Sequence, residues 1–212
     1  MQVGRIAPLG PEGVPSAFVK HAVVGPVRVG LLGLDNDAQA DLRVHGGPEK
    51  AVYAYSAAHY LPWAREWPEL ESRFRPGAFG ENLTVGGLAE ADLCVGDIHG
   101  IGTAQLQVCQ PRQPCFKLAL NFGNTRLPKA LVRSGRSGWY YRVLTPGTLQ
   151  SGDPIELVNR PLPDFPFNDL LKFLYSRELD AVALERVAHT KEVAGGLRAA
   201  AAQALDQLRG TT

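Results

Sequence analysis

Cysteine and methionine are scarce in this chain: three cysteines and one methionine occur in 212 residues. Three is an odd number and too few for a disulfide framework, and no Cys/His set has the spacing that holds zinc. A reducing cytoplasm is the expected compartment. A surplus of either charge is also missing, since 22 Lys and Arg face 21 Asp and Glu for a formal net charge of +1. Near-balance argues against a protein devoted to nucleic acid, whose phosphates call for many cations on one surface. No apolar run is long enough to span a bilayer, and Met1-Gln-Val-Gly-Arg-Ile lacks signal-peptide organisation, so no membrane partner is expected. Phosphate loops, G-x-G-x-x-G fingerprints and G-x-S-x-G elbows are absent too. No nucleotide-binding fingerprint for a flavin or nicotinamide is therefore present.

What is present is an ordinary apolar share, 45% of residues, enough for a sizeable core. Two textures divide the chain. Residues 1–163 hold most of the Gly, Pro, Trp and Val, with short apolar stretches broken by turn residues. Val3–Ile6, Ala22–Leu32, Ala51–Tyr55, Asn82–Val85, Ala104–Val108 and Ile155–Val158 are expected strands, and His59–Glu66 and Leu127–Ser134 expected helices. Many short strands with Gly and Pro turns point to a barrel or sandwich, mainly β with some α. Residues 164–212 read instead as a small three-helix domain. Leu170, Leu171, Leu174 and Tyr175 recur at helical spacing, Asp180 suits an N-cap, and an Ala- and Leu-rich third helix follows from Gly196. The Pro-rich stretch Pro161–Pro166 is the expected linker.

Cys109-Gln-Pro-Arg-Gln-Pro-Cys115-Phe-Lys117 is the segment richest in chemistry. Pro111 and Pro114 favour an ordered loop over helix or ladder. Arg112 and Lys117 favour a thiolate at Cys115, either a nucleophile or a ligand for a soft metal. Cys94 and Cys109 lie in apolar runs and are expected to pack as small hydrophobes. His45-Gly46-Gly47-Pro-Glu49-Lys50, which follows Val44, combines paired glycines, whose amides suit an anion, with flanking imidazole and ammonium groups. Lys50 is expected at the start of a strand. Gly77-Ala-Phe79-Gly80-Glu81-Asn82 offers an amide at Asn82, although a turn bonded to its own backbone explains it at least as well. His59 is expected to pack on its helix. Arg142, in the aromatic segment Gly138–Arg142, is a further residue able to face a pocket.

These segments, in this order, resemble the MOSC domain family (the molybdenum cofactor sulfurase C-terminal domain), in its YiiM-like branch. Leu93-Cys-Val-Gly96-Asp97 adds to the likeness. The tail resembles the three-alpha domain that follows MOSC there, departing in an alanine-rich third helix without a tryptophan near its start. The resemblance implies a MOSC-type β-barrel and the molybdenum cofactor, with Cys115 as the metal ligand. Lys50, Arg112, Gly46, Gly47, Asn82 and Lys117 become candidate cofactor-binding residues, and His45 a candidate acid. The implied activity is reduction of N-hydroxylated compounds such as hydroxylaminopurine bases, a detoxifying reaction, with electrons from a separate reductase. Pyridoxal phosphate binding is a further property that the family brings. The tail is read as a docking surface, a homodimer surface or a stabilising cap.

Other readings stay open on the sequence. The main alternative makes Cys115 the thiol of a sulfur carrier, or part of a module that holds the cofactor without reducing anything. A cysteine hydrolase with His45 as base lacks a third group to orient the histidine and ranks lowest.

Overall fold

The computed structural model describes residues 1–41, 45–175 and 180–210; Val44, quoted with the first glycine motif, lies outside them. Its framework is a curled six-stranded sheet. The strands are β7 (Val52–Ser56), β8 (Leu83–Val85), β9 (Ile98–Ile101), β10 (Ala104–Pro111), β11 (Trp139–Thr145) and β13 (Ile155–Asn159), in the order β13-β9-β10-β11-β7-β8. Every pair in it is antiparallel except β7 with β8. Smaller sheets join β1 (Gln2–Gly4) to β4 (Lys20–Ala22), β2 (Ala7–Leu9) to β3 (Val14–Ser16), and β5 (Val27–Gly30) to β6 (Gly33–Leu34) and β12 (Gly147–Leu149). The two outer strands of the large sheet do not pair with each other, so the expected barrel is a half-barrel, mixed α/β in content.

Period-two alternation decides what each face of this sheet does. Val52 and Ala54 of β7, with Trp139, Tyr141 and Val143 of β11, enter the barrel core. Tyr53 and Tyr55 of β7 point the other way, into an aromatic core with Trp63, Phe74, Phe79 and Phe122, and Tyr140 packs against them. That second core is built by α1 (Tyr60–Glu66), α2 (Phe116–Phe122) and α3 (Leu127–Ser134). With both faces covered, β7 is buried at every position.

Several local expectations need correction. The Ala22–Leu32 strand is broken into β4 and β5 by Gly25-Pro26, where Gly25 takes φ 82°. The strand before Cys115 runs on to Pro111, which pairs with Trp139 at the last ladder position, where a missing N–H is tolerated. Lys50 closes a single 3-10 turn, Pro48–Lys50, and does not enter the strand. Helix α2 has no counterpart in the sequence reading, because seven residues are too few to show a helical period.

The tail forms α4 (Phe167–Tyr175), α5 (Ala181–His189) and α6 (Gly195–Gly210), and Asp180 caps α5 through the Ala183 N–H at 2.6 Å. The expected boundary at residue 163 is bridged by packing. Phe167 and Leu171 sit in the barrel core, while Val95 of the barrel sits in the tail's core. Glu49 bridges the same boundary: its carboxylate accepts the Gly195 N–H at 2.8 Å and pairs with Arg142 Nη2 at 2.8 Å. Arg142 also donates to the Val193 carbonyl at 3.5 Å, so it serves the tail and does not face the Cys115 cleft. Phe167→Ala should therefore cost roughly 3–5 kcal/mol and weaken the whole protein in one denaturant transition. A curve in which the tail melts alone while the barrel persists would show that the two cores are independent.

Candidate functional site

Cys115 occupies the junction between β10 and α2, as the residue preceding the helix, with extended backbone (φ −118°, ψ 166°). Pro111 ends the ladder and Pro114 stiffens the three residues between, so the sulfur is held on a short, constrained connection. The side chain is half-buried, unlike the buried Cys94 and Cys109. Burial alone would raise its pKa, but a hydrogen bond with the His45 ring and the charge of Arg112 outweigh that and bring it to about 7. The Lys117 backbone amide acts in the same direction. Cys109 shows the opposite outcome: burial drives its thiol to about 12, and its Sγ donates to the Glu49 carbonyl at 3.2 Å. The expectation of one activated and one structural cysteine in this motif matches that contrast.

Arg112 is a buried cation of the site, 4% exposed. Its guanidinium carbon lies 5.7 Å from the Phe18 ring centroid and 5.7 Å from that of Tyr53. Its Nη2 is 4.0 Å from Cys115 Sγ. Its Nη1 is buried without a hydrogen-bond partner among the described residues, and so is Nδ1 of His45. Leaving charged donors unmet in a dry site is costly, so such atoms mark where an anionic or polar ligand would be bound. Lys50 is also partly desolvated, and burial lowers its pKa.

Arg112, Cys115, His45, Lys50, Lys117 and Asn82 all line one solvent-open cleft of ≈ 560 Å³. Asn82 commits its amide to the scaffold. Oδ1 accepts the Tyr53 N–H at 3.0 Å, and Nδ2 donates to Asp37 Oδ2 at 2.8 Å. The rest of that glycine motif bonds to itself, with Glu81 accepting the Gly77 and Phe79 N–H groups and the Tyr60 hydroxyl. Gly46 and Gly47 lie elsewhere. They line an adjoining groove with Phe173, Leu174 and Leu197 of the tail, and only Lys50 joins that groove to the cleft. His59 is a packing residue: its ring lies 5.4 Å from that of Tyr55, and Nε2 is 2.6 Å from Glu90 Oε2.

Sequence reasoning missed Ser16, Phe18, Lys20, Asp37 and Tyr140 as cleft residues. Lys20 Nζ and Asp37 Oδ1 form a buried pair at 2.5 Å on the wall formed by the N-terminal strands. Tyr140 lies in the aromatic segment Gly138–Arg142, where only Arg142 was picked out; the other four stand near no motif, although Asp37 is bonded to the Gly77–Asn82 segment.

A testable consequence concerns the thiol. Its thiolate fraction rises as pH passes upward through about 7, so alkylation of Cys115 by iodoacetamide should be half-maximal near that pH, with Cys109 inert. Arg112→Ala should move the midpoint upward, toward the ordinary cysteine value of about 8.5. A midpoint already at the ordinary value in the unaltered protein would mean that His45 and Arg112 do not activate the sulfur.

Comparison with known proteins places this geometry in context. The family model described as the MOSC domain matches residues 41–156. Protein YiiM of Escherichia coli is 45% identical over 150 residues, 71% of this chain and 67% of that protein. A Gibberella moniliformis protein named "Reductase" is 37% identical over 182 residues, 84% of this chain but 32% of its own length. The present chain thus spans about a third of that fungal relative. Among solved structures, YiiM from Geobacillus stearothermophilus superposes with a TM-score of 0.81 at 34% identity, covering 97% of this chain and 96% of that one.

Proposed function

Because the chain belongs to the MOSC domain family, in its YiiM-like branch, we propose that it is a molybdenum-cofactor-dependent reductase of N-hydroxylated compounds such as hydroxylaminopurine bases. Membership supports a molybdenum-cofactor-related function, and the relative named "Reductase" supports redox chemistry. The observation that carries the finer reading is the Cys115 thiol, brought to about 7 beside a buried Arg112 whose Nη1 has no partner among the described residues.

The residues present suit such a group. Among the described residues no cluster of three or more His, Cys, Asp or Glu is placed to hold a bare metal ion. A metal that arrives with its own sulfur ligands needs one soft donor from the protein, and Cys115 is that donor. The cofactor's phosphate needs cations, which Arg112, Lys50 and Lys117 supply from the same cleft. Asn82 contributes by holding Asp37 and Tyr53 in place. Gly46 and Gly47 would serve by shaping the turn before Lys50, Gly47 with φ 96°.

The reaction adds two electrons and two protons to an N–OH group: R–NHOH + 2 e⁻ + 2 H⁺ gives R–NH₂ + H₂O. The bound group supplies the electron pair for N–O cleavage. His45 delivers a proton toward the departing oxygen from its position against Cys115. Arg112, packed between Phe18 and Tyr53, keeps the thiolate anionic and water-poor. The electrons come from a separate reductase, since three cysteines, two of them buried, leave none for an iron–sulfur cluster.

Protein produced in a host that makes the cofactor should contain molybdenum one-to-one and reduce hydroxylaminopurine with a chemical reductant. Cys115→Ala should lose both the metal and the turnover while keeping its thermal transition. Lys50→Ala and Arg112→Ala should weaken cofactor retention by about 10–100-fold. Turnover by a molybdenum-loaded Cys115→Ala protein would refute the ligand role. Sulfane sulfur on Cys115 in a molybdenum-free protein would favour a sulfur carrier instead.

A further inference from the structure

Cys115 stands between two recesses of different character. His45, Lys50, Cys115 and Tyr140 line both. The inner one, already described, adds the charged side chains Lys20, Asp37, Arg112 and Lys117. The outer one, ≈ 980 Å³, adds Gln110, Pro111, Gln113, Pro114 and Phe116, none of them charged. One sulfur thus borders a densely charged recess and a second one in which, among the described residues, Lys50 is the one lysine or arginine and the added walls are uncharged.

The neutral walls have a particular chemistry. Pro111 and Pro114 present flat, rigid, apolar surfaces without N–H groups. Phe116 is 59% exposed although it begins α2, whose Leu118 and Phe122 are buried in the aromatic core. The core thus does not use the Phe116 ring, which remains available as a stacking surface at the mouth of the recess. Gln110 and Gln113 carry amides able to donate and accept at once. Gln110 Nε2 donates to the Glu49 carbonyl at 2.8 Å, which holds that amide in one orientation. A strongly charged ligand would lose its hydration here and meet no counter-charge beyond the groups that the inner recess shares.

We propose that the outer recess is the site that selects the substrate, taking a neutral, flat nitrogen heterocycle stacked on Phe116 and read along its edge by the Gln113 amide. The proposal rests on Cys115 being the reaction centre and names which part of the chain recognises what is reduced there. The inner recess, with Lys20, Arg112 and Lys117, would hold the anionic cofactor, and an uncharged substrate would approach the sulfur along the uncharged walls of the outer one. Phe116 and Gln113 are specificity residues under this assignment, and neither is asked to move a proton or an electron.

The test uses molybdenum-loaded protein with a chemical reductant and two substrates, hydroxylaminopurine and N-methylhydroxylamine. Phe116→Ala should lower the ratio of kcat/KM for the purine to kcat/KM for the aliphatic compound by about tenfold, the usual size of a lost base–aromatic stack. The loss should lie in KM, and Phe116→Trp should restore the ratio. A second readout needs no turnover: saturation-transfer NMR with adenine should show binding to the unaltered protein and at least several-fold weaker binding to Phe116→Ala and Gln113→Ala. An unchanged ratio together with unchanged adenine binding would overturn the recess while leaving the reductase standing. Phe116-dependent adenine binding by a protein that reduces no N-hydroxylated compound would keep the recess and sink the reductase.

Discussion

The cleft depends on the buried cation beside its sulfur. Arg112 is enclosed between Phe18 and Tyr53, with its Nη2 4.0 Å from Cys115 Sγ. A guanidinium does not give up its proton under biological conditions, so the surroundings must answer its charge. The thiol does so by ionising near neutrality, and the donor left over at Nη1 invites a second anion.

The location of the cleft follows from strand alternation. β7 and β11 send Val52, Ala54, Trp139 and Tyr141 into the barrel core, and the same period leaves Tyr53 and Tyr140 on the opposite face, with ring centroids 5.1 Å apart. Those two rings, the end of β10 and the N-terminal wall of Lys20 and Asp37 enclose the space in front of the sulfur. Strand ends and connections thus carry the chemistry, while the sheet provides a frame that does not yield. The helical tail contributes through Glu49. Its carboxylate is held by Gly195 and Arg142, and its carbonyl by Cys109 and Gln110. Lys50 is the next residue, so the tail steadies the turn that lines both recesses.

Local signals read well where chemistry is contiguous. The Cys115 connection, α1, α3, the tail helices and the Asp180 cap were all visible in short windows, because prolines, caps and apolar periods act over a few residues. Helix α2 was not, since seven residues cannot display a period and the prolines before them argue for loop. Lys20, Asp37 and Phe18 were not legible either. They reach the cleft from β4 and two neighbouring loops, 78 to 97 residues before Cys115 in the chain, and nothing in their own neighbourhood announces that meeting. Gly46 and Gly47 show the converse error: adjacency to His45 and Lys50 suggested one site, but the turn sends the glycines toward the tail.

The order of residues alone determined the kinds of groups available: one cysteine set apart by prolines and cations, and a cluster of cations and glycines able to meet an anion. It also determined family membership, since the motifs that establish it are runs of neighbouring residues. Which thiol is activated, which amide is spent on the scaffold and which recess gathers most of the charge were decided only by tertiary structure. Burial and electrostatic proximity are properties of distance in space, and the chain brings together at this site groups that no stretch of sequence holds side by side.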